Sequence, residues 1–162
     1  MTFEDLVAAR GPALMRLAVM LTGNVPDAED LLQDTVAKAH RHAERIAAMD
    51  APAAYLRRVM VNEHANTGRA KRRRPILVPL GQHDRPSDPA TETGPDEETW
   101  RALSGLPARQ RAVLVLRYYE GLTDREIADL FGTAESTVRS NASRGLEQLR
   151  AHLTRRPQEE DR

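Results

Sequence analysis

The chain has no cysteine among its 162 residues, which excludes disulfides and thiolate-ligated metal sites. No apolar run approaches the length of a membrane span and no secretory leader opens the sequence. The expectation is therefore a soluble, cytoplasmic protein with no membrane partner. No internal repeat is present, and no alternating segment long enough for a strand occurs outside one Pro-rich stretch. Also missing are a phosphate loop, a Ser/His/Asp arrangement and a paired-carboxylate motif. His40 and His42 are two apart, which on a helix points them about 200° apart and not at one metal. His64 follows Glu63 with no HExxH pattern. No enzyme activity, cofactor or metal is expected. Lysine is scarce too: Lys38 and Lys71 are the only two among 24 basic residues, the rest being Arg.

The formal net charge of zero hides an uneven distribution along the chain. Residues 1–80 carry 12 basic and 9 acidic residues, a net +3, and residues 81–99 carry 1 and 6, a net −5. Residues 100–156 carry 10 and 6, a net +4, and the tail from 157 carries 1 and 3, a net −2. Two basic blocks are thus separated by an acidic strip that the average hides.

The most informative stretch runs from Leu122 to Leu149. Thr123 with Glu126 forms a capping-box pair, each side chain able to satisfy a backbone N–H left over at a helix start. Ile127, Leu130 and Phe131 follow at i, i+3, i+4, the apolar face of a short helix. Gly132 stops it, because glycine enters the left-handed conformation without a Cβ penalty. A longer helix follows, its buried face defined by Val138, Ala142, Leu146, Leu149 and Leu153. The opposite face carries Glu135, Ser136, Arg139, Ser140, Ser143 and Arg144. Two helices joined by a tight glycine turn, the second presenting Arg and Ser near its start, form the helix-turn-helix pattern that lays its second helix in the DNA major groove. Arg can bond guanine bidentately, and Ser can bond base edges or phosphate. The alternative is an ordinary helical hairpin with a solvated face. Small Ala128, placed where a partner helix would need close approach, and the short, basic exposed face favour the DNA reading.

Elsewhere the pattern is also helical. Thr2 and Asp5 cap a first helix with Phe3, Leu6 and Val7 on its apolar side; Gly11-Pro12 is expected to kink or restart it, and Thr22-Gly23 to stop it. A second helix is expected from about Pro26 to Ile46. Proline suits its first position, and Asp27, Glu29 and Asp30 complement its positive end. Its core stripe is Ala28, Leu31, Leu32, Thr35, Val36, Ala39 and Ala43, with Glu29, Asp30, Gln33 and Asp34 outside it. A third helix starts near Pro52, with Tyr55, Leu56, Val59 and Met60 apolar and Arg57, Arg58, Asn62 and Asn66 facing elsewhere. It ends in Arg69, Lys71, Arg72, Arg73 and Arg74, five cations in six residues, a run suited to phosphates with strong salt dependence. Pro75, Pro79, Pro86, Pro89 and Pro95 then mark an extended, flexible linker. Beyond it come a short helix from Glu97 to Ser104, with Trp100 expected in the core, a helix from Leu106-Pro107 to Tyr119 ending at Gly121, and a frayed polar tail from Arg155.

The fold class expected is all-α: two small helical domains joined by a Pro-rich acidic linker, the second carrying the helix-turn-helix. The segments RLAVMLTGNVPDAEDLLQDT (16–35), AYLRRVMVN (54–62) and LPARQRAVLVLRYYEGLTDREIADLFGTAESTVRS (106–140), in this order and spacing, resemble the extracytoplasmic-function RNA polymerase sigma factors, near the SigE-like actinobacterial subfamily. The resemblance covers nearly the whole chain. It implies a region 2-like domain over 1–75, a flexible linker over 76–95 and a region 4-like domain over 96–156. Glu29, Asp30, Gln33 and Asp34 would dock on the clamp helices of the largest subunit of core RNA polymerase. Arg58 and Asn62 would hold the separated −10 strand, with Arg69, Lys71, Arg72, Arg73 and Arg74 on its backbone. Ser136, Arg139, Ser140, Ser143 and Arg144 would read the −35 element of promoter DNA. The linker would thread toward the polymerase active site, and the family makes an anti-sigma protein a further candidate partner. Tyr55 stands where the wider family usually has Trp, and Asn66 where Asp is common. The rival expectation is a stand-alone helix-turn-helix regulator binding duplex operator DNA, which would leave the acidic helix and the Arg cluster idle.

Overall fold

A computed structural model describes residues 1–69 and 95–155, with side chains over 1–67 and 95–154. The described residues are helical and belong to two compact units, Met1–Gly94 and Pro95–Arg162. The all-helical, two-unit architecture is as the sequence pattern implies. Of the expected linker over 76–95, all but Pro95 lies outside the described residues, as does the tail from 156.

The first unit contains α1 (Phe3–Thr22), α2 (Val25–His40), α3 (Ala43–Ala47) and α4 (Pro52–Arg69). The capping box at the start of α1 is present: Asp5 N donates to Thr2 Oγ1 at 3.1 Å and Thr2 N donates to Asp5 Oδ2 at 3.1 Å. The hydrogen bond from the Thr2 backbone N–H, followed by one from the Thr2 side chain, favours the carboxylate and holds the Asp5 carboxyl below its ordinary range. Gly23, at φ 85°, ends the helix in the left-handed conformation. The expected restart at Gly11-Pro12 does not occur, and α1 continues through Pro12 as one helix. Pro12 deprives the Ala8 carbonyl of its helical donor, but Ala8 and Pro12 are both exposed, so water can serve that carbonyl.

The second helix also differs from expectation. It starts one residue earlier, capped by Asn24 Oδ1 accepting from Asp27 N at 2.9 Å, and it breaks after His40 instead of reaching Ile46. A straight continuation would carry Ile46 about 9 Å beyond His40. The break instead turns α3 back against α1, α2 and α4 and leaves Ile46 with no exposed surface. Around α4 the packing is wider than a single stripe. Leu56, Met60, Val61 and Ala65 are buried, while Tyr55 and Val59 are only half-buried. α4 touches α1, α2 and α3, so more of its circumference is covered than the single apolar side of Tyr55, Leu56, Val59 and Met60 implies.

The second unit contains α5 (Glu97–Ser104), α6 (Ala108–Leu114) with a wider π-helical turn over Val115–Tyr119, α7 (Asp124–Phe131) and α8 (Glu135–Arg155). Asp96 caps α5, its Oδ1 accepting from Thr99 N at 2.7 Å, and hydrogen bonds from Thr99 hold its carboxyl below the usual range. Ala102 and Leu103 are buried on this helix, whereas Trp100, expected in the core, is half-buried. The π turn was not foreseen. Glu120 N donates to Val115 O at 3.0 Å, a spacing one residue longer than in an α-helix. Among the described residues, no helix is long and apolar enough to cross a membrane.

Candidate nucleic-acid interface

In the second unit the residues from Thr123 onward fold as their local chemistry dictates. Glu126 N donates to Thr123 Oγ1 at 3.2 Å and Thr123 N donates to Glu126 Oε1 at 3.3 Å. Ile127, Ala128, Leu130 and Phe131 are buried. Gly132 takes φ 64° and ψ 37°, and its N–H and that of Thr133 both donate to Ala128 O. The chain then enters α8, whose Val138 and Ala142 have 1% and 0% exposure. Leu146, Leu149 and Leu153 complete the stripe as half-buried residues.

The face opposite is open. Ser136, Arg139, Ser140, Ser143 and Arg144 are all exposed. They occupy the first three turns of α8 and project from one side of it. Glu135 Oε2 lies 3.6 Å from Arg139 Nη1, one turn away, with both side chains about half exposed. Such an exposed pair is worth about 0.5 kcal/mol or less, so Arg139 can exchange it for a base edge or a phosphate. A helix carrying short and guanidinium side chains, entered through a tight turn and stiffened from behind by α6 and α7, can enter a major groove as a rigid reader.

That backing includes residues the periodicity did not reveal. Gly145 is buried on the inner side of α8 against Leu114 and Gln110, which lets α6 approach α8 closely. Arg111, 7% exposed, donates from Nη1 to the Leu106 carbonyl at 3.3 Å, and burial pushes its guanidinium pKa down. The Arg109 guanidinium lies 4.1 Å from the centre of the Phe131 ring. Arg117 Nε sits 3.4 Å from Asp124 Oδ1 at the start of α7. The only hint of these roles in the sequence is that Arg109, Gln110 and Arg111 interrupt an otherwise apolar run from Leu106 to Leu116.

In the first unit Glu29, Asp30, Gln33 and Asp34 form an exposed strip on α2. Ala28, Leu31, Thr35 and Ala39 are buried behind it. Arg58 and Tyr55 are half-buried on α4. Asn62 departs from expectation: it does not face outward but is 8% exposed, and its Oδ1 has no hydrogen-bond partner. It turns inward because α4 is covered by three other helices. The helix reaches Arg69, and the side chains of Arg69, Lys71, Arg72, Arg73 and Arg74 lie outside the described residues. Among the described residues no cluster of His, Asp or Glu could hold a metal ion.

Comparison with known proteins matches residues 6–74 to sigma-70 region 2 and residues 96–149 to sigma-70 region 4. The chain is 37% identical to the RNA polymerase sigma-E factor of Streptomyces coelicolor, covering 95% of this chain and 87% of that protein. It is 31% identical to the ECF RNA polymerase sigma factor SigE of Mycolicibacterium smegmatis, over 98% of this chain and 64% of that protein. Its fold is similar to that of the sigma factor RpoE in a co-crystal structure with the anti-sigma factor NepR from Bartonella quintana. There the TM-score is 0.56 at 24% identity, over 94% of this chain and 96% of that one.

Proposed function

The chain belongs to the extracytoplasmic-function sigma factors, and from that premise we propose how its two units divide the work of initiating transcription with core RNA polymerase at promoters. Sigma factors are not enzymes; the polymerase makes the RNA. This chain supplies promoter choice and a surface that holds opened DNA.

The second unit reads the −35 element. Ser136, Arg139, Ser140, Ser143 and Arg144 face the major groove, with Arg144 and Arg139 bonding base edges and the serines bonding bases or phosphates. The observation that carries this reading is the exposure of all five on one side of α8 directly after the left-handed Gly132 turn. The first unit grips the enzyme. The acidic strip Glu29, Asp30, Gln33 and Asp34 docks on the clamp helices of the largest polymerase subunit, and α4 holds the separated −10 strand. Opening DNA costs ~1.4 kcal/mol of stacking per base-pair step, and trapping unstacked bases offsets that. Half-buried Tyr55 offers a stacking surface and Arg58 a cation. Asn62 offers its unpartnered oxygen to a base that enters beside it. Arg69 and Lys71 to Arg74 hold the backbone. The acidic linker threads toward the polymerase active site. An anti-sigma protein that covers either face would silence the factor, which acts in the cytoplasm where its polymerase is.

A stand-alone regulator would bind an operator without polymerase. It is disfavoured because it leaves the region 2 unit without a task. The test is reconstitution of the full chain with core polymerase, followed by run-off transcription from promoters substituted in the −35 element. Loss of specific transcripts when Arg144 is replaced supports the assignment. Operator binding by the chain alone, with no transcript in the presence of polymerase, overturns it.

A further inference from the structure

Lys38 Nζ and Glu63 Oε2 lie 2.5 Å apart, joining α2 to α4. The two side chains are unequally placed: Lys38 is 51% exposed and Glu63 13%. Lys38 lies one turn beyond Asp34 and therefore on the flank of the exposed acidic strip. Glu63 directly follows Asn62 on α4. The pair thus spans the short path between the surface assigned to polymerase and the helix assigned to the opened strand.

The apolar packing of α2 gives a reason for such a link. Its buried residues are Ala28, Leu31, Thr35 and Ala39; three of the four are small, and small side chains allow close approach but interlock weakly. Thr35 is no substitute, because its hydroxyl donates back to its own helix at Leu31 O, 2.7 Å away. An ammonium reaching a partly enclosed carboxylate is directional, and its loss leaves Glu63, with little of its side chain exposed, as a charge short of its partner.

We propose that Lys38 and Glu63 are a positioning pair that holds the register of α4 against α2, so that polymerase capture is converted into strand capture. This rests on the division of labour proposed above. Neither side chain touches DNA or polymerase; the pair acts through α4. Its removal therefore lowers promoter opening while leaving binding to core polymerase intact.

The experiment uses the full chain with core polymerase and compares Lys38→Met, Glu63→Gln and the exchanged pair Lys38→Glu with Glu63→Lys. Core affinity is read by fluorescence anisotropy. Opening is read by permanganate reactivity of −10 thymines, on a duplex promoter and on one already mismatched at −10. The expected result is core affinity within about twofold of the parent, and duplex opening reduced about fivefold in both single variants. Opening should recover on the mismatched promoter and in the exchanged pair. The proposal is overturned if core affinity falls in step with opening, if the mismatched template gives no recovery, if the exchanged pair stays as defective as the singles, or if both singles match the parent. Failure of the parent chain to bind core polymerase would instead sink the functional reading and is seen in the same measurement.

Discussion

Gly145 on α8 lies so close to Leu114 on α6 that a methyl group on its Cα would sit 3.0 Å from Leu114 Cδ1 and 3.2 Å from Leu114 Cγ. Leu114 is itself only 4% exposed, so it has little room to turn away. Gly145→Ala sets a gain of about 1 kcal/mol in helix propensity against overpacking that costs about 1–3 kcal/mol. The expected balance is a loss of about 1 kcal/mol, a drop of about 4–8 °C in the melting of this small unit. Calorimetry of the full chain checks it; a higher melting temperature would mean that α6 yields.

Arg144→Ala should cost about 1–3 kcal/mol on the preferred promoter and relax selection at one −35 position. Ser143→Ala, on the same face, should cost less, since a hydroxyl makes one bond where a guanidinium makes two. Competition transcription between promoters carrying single −35 substitutions measures both. An equal loss on every promoter would show that Arg144 meets phosphate and not a base.

Arg72→Ala and Arg73→Ala should behave oppositely to Arg144→Ala. Each should weaken DNA binding by the holoenzyme similarly on all sequences and flatten the plot of log affinity against log salt by about one per lost phosphate contact. Titrations at several salt concentrations check the slope. An unchanged slope would remove the cluster from the DNA backbone.

Thr123→Ala should remove the hydroxyl half of the capping box that starts α7, leaving the Glu126 backbone N–H without its acceptor while the backbone N–H of residue 123 still donates to Glu126, at about 1 kcal/mol. Because Gly132 and α8 follow this helix, transcription should weaken at elevated temperature before it weakens at 25 °C. Thermal unfolding and temperature-dependent run-off assays test this together. Unfolding unaltered by the substitution would mean that packing of Ile127 and Phe131 alone holds α7.

Acid should weaken the cap of α5. The Asp96 carboxyl is held below its ordinary value by Thr99, so its folded pKa is lower than its unfolded one. The stability it contributes is present above about pH 3.9, the unfolded value, and is lost as pH falls through the lowered folded value. Asp96→Ala should therefore melt below the parent by a constant margin above about pH 5, and the two curves should converge in stronger acid. Melting midpoints measured against pH decide it; a gap that widens as pH falls would contradict the sign.

What the chain determined by itself is local. Thr2 with Asp5, Thr123 with Glu126, and the stops at Gly23 and Gly132 act within a few residues of themselves, and each took the expected conformation. The open face of α8 follows from 3.6-residue periodicity alone, and all five of its expected reading residues are exposed. What the tertiary structure decided depends on neighbours far along the chain. The break after His40 exists because Ile46 is buried better by turning back than by running on. Asn62 is enclosed because α1, α2 and α3 all pack on α4, and Trp100 stays half exposed because Ala102 and Leu103 take the buried positions. The approach of Gly145 to Leu114 and the reach of Lys38 to Glu63 have no local signature. Periodicity tells which side of a helix is apolar, but only the packed helices determine how much of that helix is covered and which charges meet across the seam.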